Sequence, residues 1–402
     1  MRRGASYSIL FVILTSFIGC VQPFEVDFPE NDKILVISGV LTNADKTHYV
    51  NISYTRSLNE ASDIPDVIDA EVSVEDEYGN VVIYLQEGAG RYISPTGFKA
   101  EIGVKYQLKV LHEGQLFVSE QVKLVSPTEI ENVHWDPKEV IDSDLEEVVH
   151  GAQFFIDSEE SQNKYFRYEW EGTHLIIPPF SATHEVVDRQ IVEIDFVPTP
   201  CYSTGYSNNL LLATTIGLSQ PRVLDVPIHF IPETDSRLRH AYSLLVRQYS
   251  LTESAYNYYK QLRDNNESSG SFFDAQQGSI VGNIKNDSDP ESLVLGYFEV
   301  SGESSKRKKF TRGSDFKSQI ATAAFSFYCG EIIVCDEDTG ECGDVSEGGT
   351  PEAAIENITL GYADYIYQLD TSAMPPLANI QRRGCTDCSY YATTDTPDFW
   401  YE

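Results

Sequence analysis

Two short stretches carry residue types at a spacing that could do chemistry. Cys385-Thr386-Asp387-Cys388 sets two thiols where a redox pair, half of a zinc site or two structural cysteines would have them. Cys335-Asp336-Glu337-Asp338-Thr339-Gly340-Glu341-Cys342 gathers hard oxygen donors in a glycine turn, superficially like a calcium loop. Neither is complete. There is no second CxxC at zinc-ribbon spacing and no thioredoxin-like strand-to-helix context around the first. The acidic loop lacks the glycine at the sixth position and the bidentate glutamate at the twelfth that calcium loops use. Structural bridges are expected for the first, and for the second a solvated acidic hairpin that Cys335 and Cys342 could close. The chain has no GxSxG, HExxH, P-loop or GxGxxG pattern. His174 and His184 flank Pro178-Pro179 without a ligand pattern. No catalytic residue, metal or cofactor is assigned, and an enzyme ranks last among the function classes.

Cys20 has a different setting. Met1-Arg2-Arg3 precedes an apolar stretch from Tyr7 to Gly19, too short for a membrane span of about 18 or more residues but suited to a secretory signal. Phe17-Ile18-Gly19-Cys20 resembles the lipobox of bacterial lipoproteins, with Phe17 where leucine is usual. Residues 1–19 are expected to be removed, Cys20 to be lipidated, and residues 20–31 to form a polar tether. Glu25, Asp27 and Glu30 make that tether acidic, and Asp32 follows it.

The body of the chain must hold whatever these residues do. The hydrophobic fraction of 41% and aromatic fraction of 12% suffice to build cores, and 402 residues exceed one typical domain. The formal charge of −33 argues against nucleic acid or an anionic lipid surface as a partner. With Cys20 set aside, Cys201, Cys329, Cys335, Cys342, Cys385 and Cys388 remain. An even number in an exported chain favours disulfides, and the sequence does not choose the pairing.

Period-two alternation dominates the first hundred residues. Apolar runs over 33–42, 48–58, 70–88, 90–95 and 105–124, separated by turns such as Tyr78-Gly79-Asn80 and Glu113-Gly114, predict strands and hairpins. Their spacing predicts a β-sandwich of immunoglobulin or transthyretin type over 32–126. Pro127 closes it, and the acidic stretch 136–149 reads as a separator. Further strands are expected over 151–159, 165–177 and 190–196, with Pro178, Pro179, Pro198 and Pro200 imposing loops. Near 251–265 the period changes to that of a helix. Ser250 and Glu253 suggest a capping box, and Ala255, Tyr258, Tyr259 and Leu262 share one face. The fold class is mainly β: an N-terminal sandwich, then a larger β-rich domain over 127–402 with a few helices.

Two surface features remain. Lys306, Arg307, Lys308 and Lys309 form a basic run in an acidic chain, either a solvated turn or a patch that orients a partner. Tyr256, Tyr258, Tyr259, Tyr390, Tyr391, Phe399, Trp400 and Tyr401 supply rings that suit an interface, sugar stacking or plain core packing.

The order LVISGVLT, GNVVIYLQEGAGRYIS, EIGVKYQLKV, QYSLTESAYNYYKQL, IVGNIKNDSDPESLVLGYFEVS and RRGCTDCSYYATTDTPDFW resembles a family of Bacteroidota surface lipoproteins known only as a domain of unknown function, number four-two-four-nine. The resemblance spans nearly the whole chain after Cys20, and its most specific pieces are Gly282 to Phe298 and Cys385 to Trp400. It implies a sandwich followed by a larger mixed β domain on the outer membrane, in genomic company with TonB-dependent receptors. The implied role is an accessory subunit of such a receptor in nutrient capture or uptake, exposed at the cell surface through its lipid anchor. A stand-alone binder of glycan or peptide, and a structural subunit of an outer-membrane assembly complex, are the alternatives.

Overall fold

The computed structural model describes residues 33–55, 67–142, 147–267, 280, 282–316, 329, 332–335 and 342–401. Cys20, its tether and Asp336 to Glu341 lie outside these. The described chain is mainly β, as its alternation predicts.

Alternation becomes burial directly in β1 (Leu35–Thr42), where Leu35, Ile37 and Leu41 point into a core while Ser38 is exposed. β1 is followed by β2 (Tyr49–Tyr54), β3 (Glu71–Asp76), β4 (Val81–Gly88), β5 (Arg91–Ile93), β6 (Lys105–His112), β7 (Gln115–Ser119) and β8 (Val122–Lys123). Antiparallel pairs run β1–β2–β5–β4–β3–β6–β7. Their inward faces meet around Ile37, Ile52, Val72, Leu108 and Val110, a sandwich core of the kind such spacing builds.

A second layered unit follows. β9 (Ile130–Asp142), β10 (Glu147–Ser158) and β16 (Val226–Pro232) form a three-stranded sheet. Against it packs the sheet holding β11 (Tyr165–Ile176), β14 (Cys201–Tyr206), β15 (Leu211–Thr214) and β17 (Ala241–Ser250). Val133, Phe154, Ile156, Phe166, Leu244 and Val246 fill the space between the sheets. The acidic stretch 136–149 is therefore not a separator. Its described residues continue β9 and β10, pairing Glu139 with His150 and Ile141 with Val148. Its alternation is real, but Ile141 and Val148 are exposed, so the pattern has no buried face to announce it.

β12 (His184–Val187) and β13 (Gln190–Glu193) interrupt this unit, with coil at the expected prolines. After β17 comes α1 (Glu253–Glu267), where Ala255, Tyr258 and Tyr259 pack on Tyr249 and Tyr297 as their spacing predicts. The cap is Thr252, whose Oγ1 accepts from the Ala255 amide at 3.3 Å. Ser250, expected in that role, ends β17 and accepts from the Thr128 amide instead.

The chain then returns to the first sandwich. β18 (Ile284–Asn286) pairs with β7, and β19 (Val294–Leu295) runs parallel to β1. β20 (Phe298–Thr311) pairs first with β1 through Phe298 to Ser301 and then with β17 through Gly302 to Thr311. Ile284, Val294, Phe298 and Val300 thus belong to the sandwich core, which the boundary expected at residue 126 would have cut away. Two glycines make the return fit. A Cβ on Gly296, which has φ +107°, would overlap the Ile37 carbonyl oxygen, and one on Gly282 would overlap that of Gly296. Asn283 completes the edge, donating to the Phe298 carbonyl at 2.9 Å and accepting from its amide at 2.8 Å.

The C-terminal part adds β21 (Ile333–Cys335), β22 (Cys342–Asp344), α2 (Pro351–Thr359), β23 (Tyr365–Asp370) and β24 (Leu377–Gln381). Strands β13, β12, β23 and β24 form a small sheet, and Ala354, Ile366, Ala378 and Ile380 give it a core of its own.

Candidate functional site

The residues after β24 form one wall of a cavity of about 640 Å³. Opposite them stand the end of β11, from His174 to Ile177, and the segment Ser236 to His240 that leads into β17. The wall is held by tight local geometry. Cys388 is bonded to Cys201 at the start of β14, and Cys385 to Cys329. Between them, Asp387 accepts from the Ser389 amide at 3.0 Å and Thr386 Oγ1 donates to the Arg383 carbonyl at 3.1 Å. A segment with little apolar surface of its own is thus fixed by covalent bonds and side-chain turns.

Its charge runs opposite to that of the chain. Among the described residues lining the cavity are Arg239, Arg382 and Arg383 and the carboxylate of Asp364, in a protein of net charge −33. The Asp364 carboxylate accepts from the Arg383 amide at 2.8 Å, and the Arg383 guanidinium lies 3.4 Å from Asp387 and 5.6 Å from the Tyr390 ring centre. Burial, and then the charge of Arg237, push the pKa of His174 down to about 4. Burial followed by Arg239 lowers that of His240. Both imidazoles are neutral at pH 7, and His240 Nε2 is buried without a hydrogen bond. Guanidinium groups recognise planar anions through paired donors, and neutral imidazoles add hydrogen bonds. Ile176, Ile177, Tyr390 and Tyr391 supply apolar and aromatic surface beside them. The arrangement suits an anionic molecule with an apolar portion.

The cysteines fit the structural expectation, with a pairing the sequence could not choose. The two members of the CxxC bond to different distant partners, which removes both the redox-pair and the zinc readings. Cys335 and Cys342 are opposite one another in the β21–β22 register. The basic run does not form one patch. It lies in β20, where alternation sends neighbours to opposite faces. Lys306 donates to the Glu131 carbonyl at 2.6 Å and Lys308 to that of Val133 at 2.8 Å. On the other face Arg307 binds Glu171 at 2.6 Å and stacks over Phe399, while Lys309 donates to the Trp400 carbonyl. The aromatic residues divide as well: Tyr258 stacks on Tyr297, Trp400 is buried against Tyr202, and Tyr390, Tyr391 and Tyr401 are exposed.

Sequence reasoning missed Arg239, His240, Arg382 and Arg383. The one available signal was the pair of arginines immediately before the CxxC, in RRGCTDC.

Comparisons with known proteins add the family. No curated protein matches the chain. Among solved structures, a DUF4785 family protein from Legionella pneumophila is similar over 52% of this chain and 50% of its own, at 10% identity and a TM-score of 0.16. This chain thus spans about half the length of that one. The family model described as a domain of unknown function, DUF4249, matches residues 21–307, so the cysteine-fixed wall lies beyond the matched part. With well over half of its residues matched, the chain belongs to the DUF4249 family.

Proposed function

We propose that this protein is a surface-exposed outer-membrane lipoprotein that serves as the accessory subunit of a TonB-dependent receptor, capturing an anionic nutrient in the cavity behind the CxxC. The observation that carries the capture role is the gathering of three arginines and two neutral histidines around a cavity of ligand size, bordered by exposed tyrosines. The anchor is supported by Phe17-Ile18-Gly19-Cys20 after a short apolar leader. Among the described residues, no helix is long and apolar enough to cross a membrane. Acyl chains on Cys20, each stabilising by about 0.8 kcal/mol per buried CH2, would hold the body at the bilayer through its acidic tether.

Mild detergent extraction of the native membrane, capture through a C-terminal tag and mass spectrometry of what accompanies the protein would test the receptor role. One dominant TonB-dependent barrel at near-equal amount is the expected outcome. Recovery of the lipoprotein alone would replace this reading with a stand-alone surface binder, which the same cavity would serve. Cys20→Ser should release the protein from the membrane fraction.

A further inference from the structure

On the outer face of the three-stranded sheet stand His134, Asp157 and Asp225, none of which lines the cavity. Each offers one donor atom, and the three atoms lie within 4.8 Å of one another. We infer that they form a zinc site with three protein ligands and a fourth position open to solvent.

The sheet geometry brings them together. His134 on β9 is opposite Phe155 on β10, so Asp157, two residues on, is its diagonal neighbour on the same face. Asp225 immediately precedes β16, the other neighbour of β10, and has φ +52°. Its amide donates to Asp157 Oδ1 at 3.0 Å, which fixes that carboxylate and leaves Oδ2 for His134. The imidazole is held flat over the Phe155 ring, with centroids 5.5 Å apart and planes inclined by 21°.

His134 Nε2 lies 3.3 Å from Asp157 Oδ2 and 3.3 Å from Asp225 Oδ1. It is nevertheless buried and makes no hydrogen bond with either. An ordinary ion pair leaves this arrangement unexplained, because one imidazole N–H serves one acceptor and a second carboxylate stays crowded against the first. A tetrahedral metal does explain it. Zinc binds nitrogen and carboxylate oxygen at about 2.0–2.2 Å, so the edge of its tetrahedron, the ligand-to-ligand distance, is about 3.3–3.6 Å. Two aspartates and a neutral histidine also cancel the charge of a divalent ion. The mixed nitrogen and oxygen set disfavours calcium and magnesium, which take oxygen alone. The Arg222 guanidinium, close by in sequence, is bound to Glu131 at 2.9 Å. The Asp225 side chain is 73% exposed, so water reaches the ion and the site is of the open rather than the closed structural type.

Calorimetric titration of the untagged, chelator-stripped full chain with zinc, alongside metal analysis, tests this. One zinc per chain is expected, with Asp225→Asn and His134→Gln each weakening binding at least tenfold. Asp225 is the safer substitution because it is exposed, and the metal-free Asp225→Asn protein should melt at the wild-type temperature. Cobalt in place of zinc should give the visible absorption of a tetrahedral site, absent from both variants. No stoichiometric zinc, or zinc bound equally well by Asp225→Asn, would overturn the assignment and leave a histidine set between two carboxylates without a metal.

Discussion

Two regions of this molecule concentrate arginine, and they use it in opposite ways. Across β11, β17 and β20 a charged ladder lines one sheet face, with Arg167 opposite Tyr249, Tyr249 opposite Glu303, and Glu169 opposite Arg247. Arg167 is 5% exposed and binds Glu299 through two contacts of 3.1 Å, with Tyr249 and Tyr259 stacked near its guanidinium. Burial opposes its charge, but Glu299, Tyr259 and Glu169 outweigh burial and hold its pKa well above the ordinary value. Arg247 and Arg307 share Glu171, and Lys46 pairs with Glu303. In the ladder each cation has a carboxylate. In the cavity, Arg383 has Asp387 beside it, and the arginines also border an open space of ligand size. A network closed within a sheet organises that sheet; one that borders open space can also meet a ligand.

The comparison is open to attack, most forcefully at Glu299. Glu299→Ala should leave the buried Arg167 with only the partly exposed Glu169 and destabilise the fold by about 3 kcal/mol in urea unfolding, whereas replacing both Arg167 and Glu299 by leucine or methionine should recover most of that loss. A loss below about 1 kcal/mol would mean that the ladder contributes little.

The wall of the cavity comes next. Cys201 and Cys388 are separated by 187 residues, and changing both to serine should cost about 2–5 kcal/mol and abolish ligand capture together with stability.

Acid should then strain the histidines. His48 is 1% exposed, and burial, then Lys46, lower its pKa to about 4. The unfolded chain therefore takes up the proton first. Stability is full above about pH 6.5 and declines toward pH 4, by roughly 3 kcal/mol for this group. Melting temperatures across that range should fall, less steeply in His48→Asn.

Arg382→Ala should move stability least, within about 0.5 kcal/mol, since the residue is exposed. The same change should lower the affinity for small dicarboxylates or phosphate monoesters about ten- to a hundredfold, the effect of one charge-assisted hydrogen bond of about 1.5–3 kcal/mol. Unchanged affinity for every such anion would place the cavity on the structural side of the comparison.

The local half of the fold was legible in the sequence. Strands with one buried face, such as β1 and β6, announce themselves by alternation, and α1 by its row of Ala255, Tyr258 and Tyr259. The end of β9 and the start of β10 were not legible because neither face is buried. The pairing of Phe298 to Ser301 with β1 was not legible either, since partners some 260 residues apart leave no periodic trace. The cavity suffered most. His174, Arg239, Cys329 and Arg382 come from separate segments, and nothing in any one of them tells of the others.

The route of β20 has a consequence for how such a chain can be divided. At Gly302 the strand passes from one sheet to the next so close to Val125 and Pro127 that a Cβ would collide with their backbone. In architectural terms the segment from Pro127 to about Asn283 is a guest inserted into a host sandwich whose last strands are supplied afterward. A gene truncated at residue 126 would encode a host with the open side of β1 bare, an invitation to join edges with its own copies. Only a piece that carries the guest, or one that splices it out and joins the two host segments, keeps that side covered.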